Sequence, residues 1–112
     1  MFALLMGLPT VSPAAVLDLV RHGRASVIDV NAPARWAQAH VPGARNLDPE
    51  RFAAGDLPPD RATTLVFYCS NPLCRKAPNA ARRARRMGYR DARVMSAGIN
   101  GWLAASLPVE IA

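Results

Sequence analysis

Apolar residues along this chain follow two rhythms. Short, nearly continuous runs occur at Ser26-Val27-Ile28-Asp29-Val30, at Leu65-Val66-Phe67-Tyr68 and at Arg93-Val94-Met95, with a briefer one near Asn46-Leu47. Runs of this length suit strands buried on both faces, as in a parallel sheet. Between them the spacing turns helical. Ser12-Pro13 offers an N-cap serine with proline at the first helical position; Val16, Leu17 and Val20 then share a face, and Gly23 closes the helix. Pro33 opens a short helix through Arg35, Trp36 and Ala39, and Asp48-Pro49-Glu50 another helical piece with Phe52 as its core contact. Ala77, Ala80, Ala81, Ala84 and Met87 recur at helical spacing opposite a row of arginines, with Pro78 placing the helix start near Arg75 or Lys76. Gly98 to Ala104 reads as a last short helix carrying Trp102. The alternation predicts an α/β domain with a mostly parallel central sheet and helices on both faces.

Composition narrows the class. The chain has 112 residues, 51% of them hydrophobic, which fits one globular domain over residues 10–112. No apolar run approaches the roughly 20 residues of a membrane span. Residues 1–9 are apolar but no Lys or Arg precedes them, so they read as a tail packed on the domain or a partner rather than a secretory signal. The net charge is +6, and Lys76 is the only lysine. Eight of the fourteen basic residues lie between Arg75 and Arg93. They read first as the solvated side of an amphipathic helix and second as a face that draws anions. No aromatic residues interleave with them, which argues against nucleic acid as a partner. Two cysteines are too few for a disulfide scaffold, and neither His22 nor His40 stands at ligand spacing from them, so neither metal nor cofactor is expected.

The chemistry concentrates where the Leu65–Tyr68 run meets Cys69. A thiol between a buried strand end and a helix start lies among backbone N–H groups, at the positive end of a helix dipole. Both lower a cysteine pKa and favour bound anions. Amides from about Ser70 to Arg75 are candidates for an anion-binding nest, although Pro72 contributes no donor. The bland alternative is a structural cysteine at a strand end. Cys74 is read as a small filler pointing away; the competing reading is that it reaches Cys69 and resolves a sulfenic acid or persulfide as a disulfide. Trp36 and Trp102 read as core or subunit contacts, His40 as a turn hydrogen bond, and Asp29 as a partner for amides of a neighbouring loop.

Several separated motifs together resemble a rhodanese domain over about Val11 to Glu110. Val27-Ile28-Asp29-Val30 resembles the first core strand, His40-Val41-Pro42-Gly43-Ala44 the family's turn, and Phe67-Tyr68-Cys69 the strand delivering the active cysteine. Arg86-Met87-Gly88-Tyr89, Gly98-Ile99-Asn100-Gly101-Trp102 and Leu107-Pro108-Val109 resemble its closing signatures. The resemblance implies a single-domain thiosulfate sulfurtransferase in which Cys69 is catalytic and carries a persulfide. The loop Ser70, Asn71, Pro72, Leu73, Cys74 and Arg75 would bind substrate. Its partners would be a small anionic sulfur donor and a thiol or cyanide acceptor, with a sulfur-relay protein as a further candidate, and the expected location is cytoplasmic. A non-catalytic sulfur carrier or interaction module is the rival from another class.

The chain also departs from the family pattern. Asn31 stands where many members carry arginine, and Ala32 and Ala34 replace an acidic pair, which should weaken a local ion-pair network more than the chemistry. Cys69, five residues and Arg75 make a loop one residue longer than in ordinary sulfurtransferases. That spacing resembles tyrosine-type phosphatases and opens a reading as phosphatase or arsenate-reductase chemistry, with Arg75 clamping a tetrahedral anion. Against it, Tyr68 stands where those phosphatases usually carry histidine, and no aspartate is placed as leaving-group acid.

Overall fold

The computed structural model describes residues 2–112; Met1, within the tail expected at 1–9, lies outside the described residues. Four parallel strands form the sheet: β1 (Ser26–Asp29), β2 (Arg45–Asn46), β3 (Leu65–Tyr68) and β4 (Ala92–Val94), in the order β2-β1-β3-β4. The helices are α1 (Phe2–Leu5), α2 (Pro13–Arg21), α3 (Pro33–Gln38), α4 (Lys76–Arg86) and α5 (Gly98–Ala104). This is the α/β arrangement expected from the two apolar rhythms.

β3 is buried along its whole length on both faces, and alternation along it sorts the core into two layers. Leu65, Phe67 and Cys69 point to the side covered by α4, where Ala77, Ala80, Ala81 and Ala84 lie buried. Val66 and Tyr68 point to the opposite side, with Val16 of α2 and Ile99 and Trp102 of α5. Alanine is what lets α4 lie close to the strands, since each Cβ occupies little depth. The Ser12 side chain caps α2, accepting the Ala15 amide at 3.2 Å.

Some element boundaries differ from expectation. Asp48-Pro49-Glu50 makes a turn instead of a helix, because the Asp48 side chain takes the Glu50 amide at 2.9 Å and closes the chain on itself. Phe52 is buried as expected, and a 3-10 turn follows at Ala54–Asp56. The strand expected near Asn46-Leu47 begins one residue earlier at Arg45, and that at Arg93–Met95 begins at Ala92.

Both ends of the described chain are tied in. The Val94 amide donates to Pro9 O and the Val11 amide to Val94 O, both at 2.9 Å, so residues 9–11 run along the outer edge of β4. Ala3 and Leu8 are buried in the α4-side core. Near the other terminus His40 and Glu110 exchange backbone hydrogen bonds at 2.9 Å each, and the Glu110 carboxylate accepts the Gly43 amide at 2.6 Å.

Candidate functional site

Cys69 directly follows β3, one of the two central strands, and is 3% exposed. In a parallel sheet the crevice lies beyond the carboxyl ends of the strands, and this residue sits there. Its backbone is gripped from the far side of the chain. The Ile99 amide donates to Cys69 O at 2.9 Å, and the Asn100 amide to Ser70 O at 3.0 Å. Gly98 makes this approach possible: its φ is +66°, and a side-chain carbon there would strike the Ser70 and Asn71 backbone.

The expected loop residues face different ways. Ser70 turns toward β1, donating from Oγ to Asn31 Oδ1 at 2.8 Å. Asn71, Pro72 and Cys74 line a water-sized cavity of about 10 Å³ beside Cys69. Leu73 is 70% exposed and projects to solvent, so its side chain takes no part in that wall. Arg75 is exposed at the N-terminus of α4. Of the amides read as a nest, two are used inside the loop. The Leu73 N–H goes to Asn71 Oδ1 at 2.9 Å and the Cys74 N–H to Asn71 O at 3.1 Å.

Cys74 does not point away. Its sulfur is bonded to that of Cys69, across a Cα–Cα distance of 6.5 Å. The expectation of an outward filler is therefore corrected. The Asn71-centred turn carries residue 74 back over the strand end, a direction that sequence separation alone does not set.

Asn31 also plays a larger part than expected. Its amide donates to Asp29 Oδ1 at 2.8 Å, and its carbonyl, like that of Asp29, accepts from Asn46 Nδ2, at 2.8 and 3.0 Å respectively. With Ser70 this forms one polar chain from the end of β1 to the cysteine loop, so the departure at Asn31 reaches the loop directly. Asp29 is fully buried. Burial pushes its carboxyl above the ordinary value, against the hydrogen bonds of Tyr68 and Asn31 and the nearby His40. Burial and the neighbouring Asp29 charge push the Tyr68 hydroxyl up in turn, and that hydroxyl accepts the Val41 amide at 3.1 Å.

Ser96 was not singled out from the sequence. It lines the same small cavity as Cys69, and its Oγ is buried with no hydrogen-bond partner among the described residues. The available signal was topological: the residues just after β4 lie beside those just after β3 when the strands run parallel. Ala3 of α1 lines that cavity as well. A larger cavity of about 380 Å³ opens beyond β1 and β2, with Asn31, Asp48, Glu50 and Lys76 on its walls. His40 takes the turn role expected of it, its Nδ1 lying 2.7 Å from Trp36 O. Among the described residues no cluster of three or more His, Cys, Asp and Glu side chains is placed to hold a metal, and no helix is long and apolar enough to cross a membrane.

A family profile described as a rhodanese-like domain matches residues 12–105. The chain is 31% identical over 102 residues to an HTH-type transcriptional regulator of Mycobacterium tuberculosis, covering 89% of this chain and 44% of that protein. It therefore spans less than half the length of that relative. Over 111 residues it is 32% identical to arsenate reductase 2.1 of Oryza sativa subsp. japonica, covering 88% of this chain and 69% of the relative. Against the thiosulfate:glutathione sulfurtransferase of Homo sapiens it is 30% identical over 111 residues, covering 87% and 95%. Among solved structures, the human single-domain sulfurtransferase TSTD1 superposes with a TM-score of 0.73 at 26% identity, covering 86% of this chain and 96% of that one. Profile, relatives and fold agree: the chain belongs to the rhodanese-like domain family.

Proposed function

We propose that this chain is a sulfurtransferase that moves sulfane sulfur through a persulfide on Cys69. The observation that carries the reading is the position of Cys69, buried at the carboxyl end of a central strand with its backbone fixed by α5 and the N-terminus of α4 ahead of it. Starting from the dithiol, the Cys69 thiolate attacks the sulfane sulfur of a donor such as thiosulfate. The donor S–S bond breaks, and sulfite leaves with its electron pair. A thiophilic acceptor, cyanide or a thiol, then takes the outer sulfur and restores the thiolate. The α4 dipole and the polar strand-to-helix turn favour the anionic forms of both sulfur species.

The test follows thiocyanate release from thiosulfate and cyanide by reduced protein, beside a Cys69→Ser variant. Turnover by the wild type and at least a hundredfold loss in the variant are expected, on the order of what loss of an activated nucleophile costs. Full activity in the variant overturns the assignment. Sulfur loading on Cys69 only from a partner enzyme, without turnover, makes the chain a carrier instead.

A second reading rests on the loop length. Cys69, five residues and Arg75 match the spacing of loops that hold a tetrahedral oxyanion, and a 32% identical relative is an arsenate reductase. Arsenate reduction and aryl phosphate hydrolysis measured in the same preparation decide between them, and neither is expected to match sulfur transfer.

A further inference from the structure

Resting on the sulfur-transfer reading, we propose that Cys74 is a resolving thiol that ends the cycle by releasing sulfide. In this step the Cys74 thiolate attacks the Cys69 sulfur of the persulfide. The bond between the Cys69 sulfur and the outer sulfur breaks, hydrosulfide leaves with the electron pair, and the Cys69–Cys74 disulfide remains. An external dithiol then reduces the disulfide, becoming a disulfide itself. The net reaction consumes one thiosulfate and one dithiol, and yields one sulfite, one sulfide and one oxidised dithiol.

Several features of the molecule support this. The two sulfurs are already bonded, and the 6.5 Å between the Cα atoms needs no backbone movement to bridge. One partner is held still, since Cys69 O is bound by the Ile99 amide, while the other is brought in by the Asn71-centred turn. Two thiols so placed react as one molecule, ahead of any thiol arriving from solvent. Space works the same way. With Cys74 in this position only a small cavity of about 10 Å³ is left beside Cys69, so the Cys74 side chain takes up space next to the Cys69 sulfur. The outer persulfide sulfur and the Cys74 side chain thus compete for one place, and expelling hydrosulfide resolves the competition.

Accessibility then gives the reductive half a direction. Cys69 is 3% exposed, whereas Cys74 is half-buried on the outer loop. A dithiol meets the Cys74 sulfur first. Attack there expels Cys69 as the thiolate, the species needed for the next donor, at the strand-to-helix turn that stabilises it.

The experiment is a single turnover without added thiol. Wild type and Cys74→Ser are reduced, freed of reductant and given one equivalent of thiosulfate; released sulfide and intact mass are read together. Wild type is expected to release about one sulfide per chain and to finish as the disulfide. The variant, whatever its loading rate, is expected to keep one extra sulfur on Cys69 and to release no sulfide. Cys74→Ala and a thermal melt of each protein separate lost chemistry from lost folding. A wild type that holds a lasting persulfide, or a variant that releases sulfide as the wild type does, overturns the resolving role alone. If neither protein gains sulfur or releases sulfite while both thiols stay free, the sulfur-transfer reading itself fails, and this inference with it.

Discussion

Asp29 is the residue whose surroundings make the sharpest quantitative claim. It is fully buried, and burial raises its carboxyl above the ordinary 3.8. The folded chain therefore keeps that proton to higher pH than the unfolded chain does. Stability from this group falls as pH rises from 3.8 through the raised value, then stays level. Asp29→Asn retains an oxygen for the Asn31 amide and removes the titration. Urea midpoints across acid pH should show the variant gaining on wild type as pH rises through that window; parallel curves would exclude the effect. The same scale shows the limits of reading from sequence. Cys69 was legible because strand pattern, following helix and family motifs all converge on it. The bonding of Cys74 and the cavity-facing place of Ser96 were not, because both depend on side-chain direction and on neighbours far apart in sequence.

Among elements, α4 and α5 were legible for opposite reasons. The alanine spacing of α4 states which side meets the sheet, and Pro78 limits where it can begin. In α5 the informative residue is Gly98, whose absent side chain lets the helix start lie against the Ser70 backbone. Gly98→Ala must both hold a positive φ and displace the cysteine loop. It should cost about 1–3 kcal/mol in a denaturant melt and reduce sulfur loading of Cys69 further than that loss explains. An unchanged loading rate would mean that the loop tolerates the shift. The Asp48 turn shows the reverse case. Its Asp-Pro-Glu order is as much a turn signal as a helix start, and the Asp48 side chain decided it by taking the nearest amide.

On the scale of the whole molecule, the basic charge divides. Arg83 donates twice to Phe52 O, at 3.0 and 2.9 Å, and lies 5.3 Å from that ring; Arg93 pairs with Asp91 at 2.8 Å. Arg83 thus fastens the Phe52 loop to α4 and Arg93 holds Asp91 at the start of β4, roles that composition alone does not reveal. The parallel sheet with helices on both faces was readable from the runs and spacings. The pairing of residues 9–11 with β4 was not, since Pro9-Thr10-Val11 is too short to read as a strand. Val11→Pro removes its share of that pairing. It should lose about 1 kcal/mol and speed hydrogen exchange at the Val94 amide, whereas unchanged protection would show that the Pro9 contact suffices.

That pairing also bears on recruitment. At Val94 both outward backbone groups are taken, and Ala92 O accepts from Arg85 at 3.4 Å. At Val94 this border offers no foothold to a foreign strand, so β-augmentation is blocked to a visiting protein at that residue. If the proposed sulfur transfer uses a protein partner, that partner would not extend the sheet from β4, and its recognition on this side would rest on side chains rather than on a shared backbone ladder.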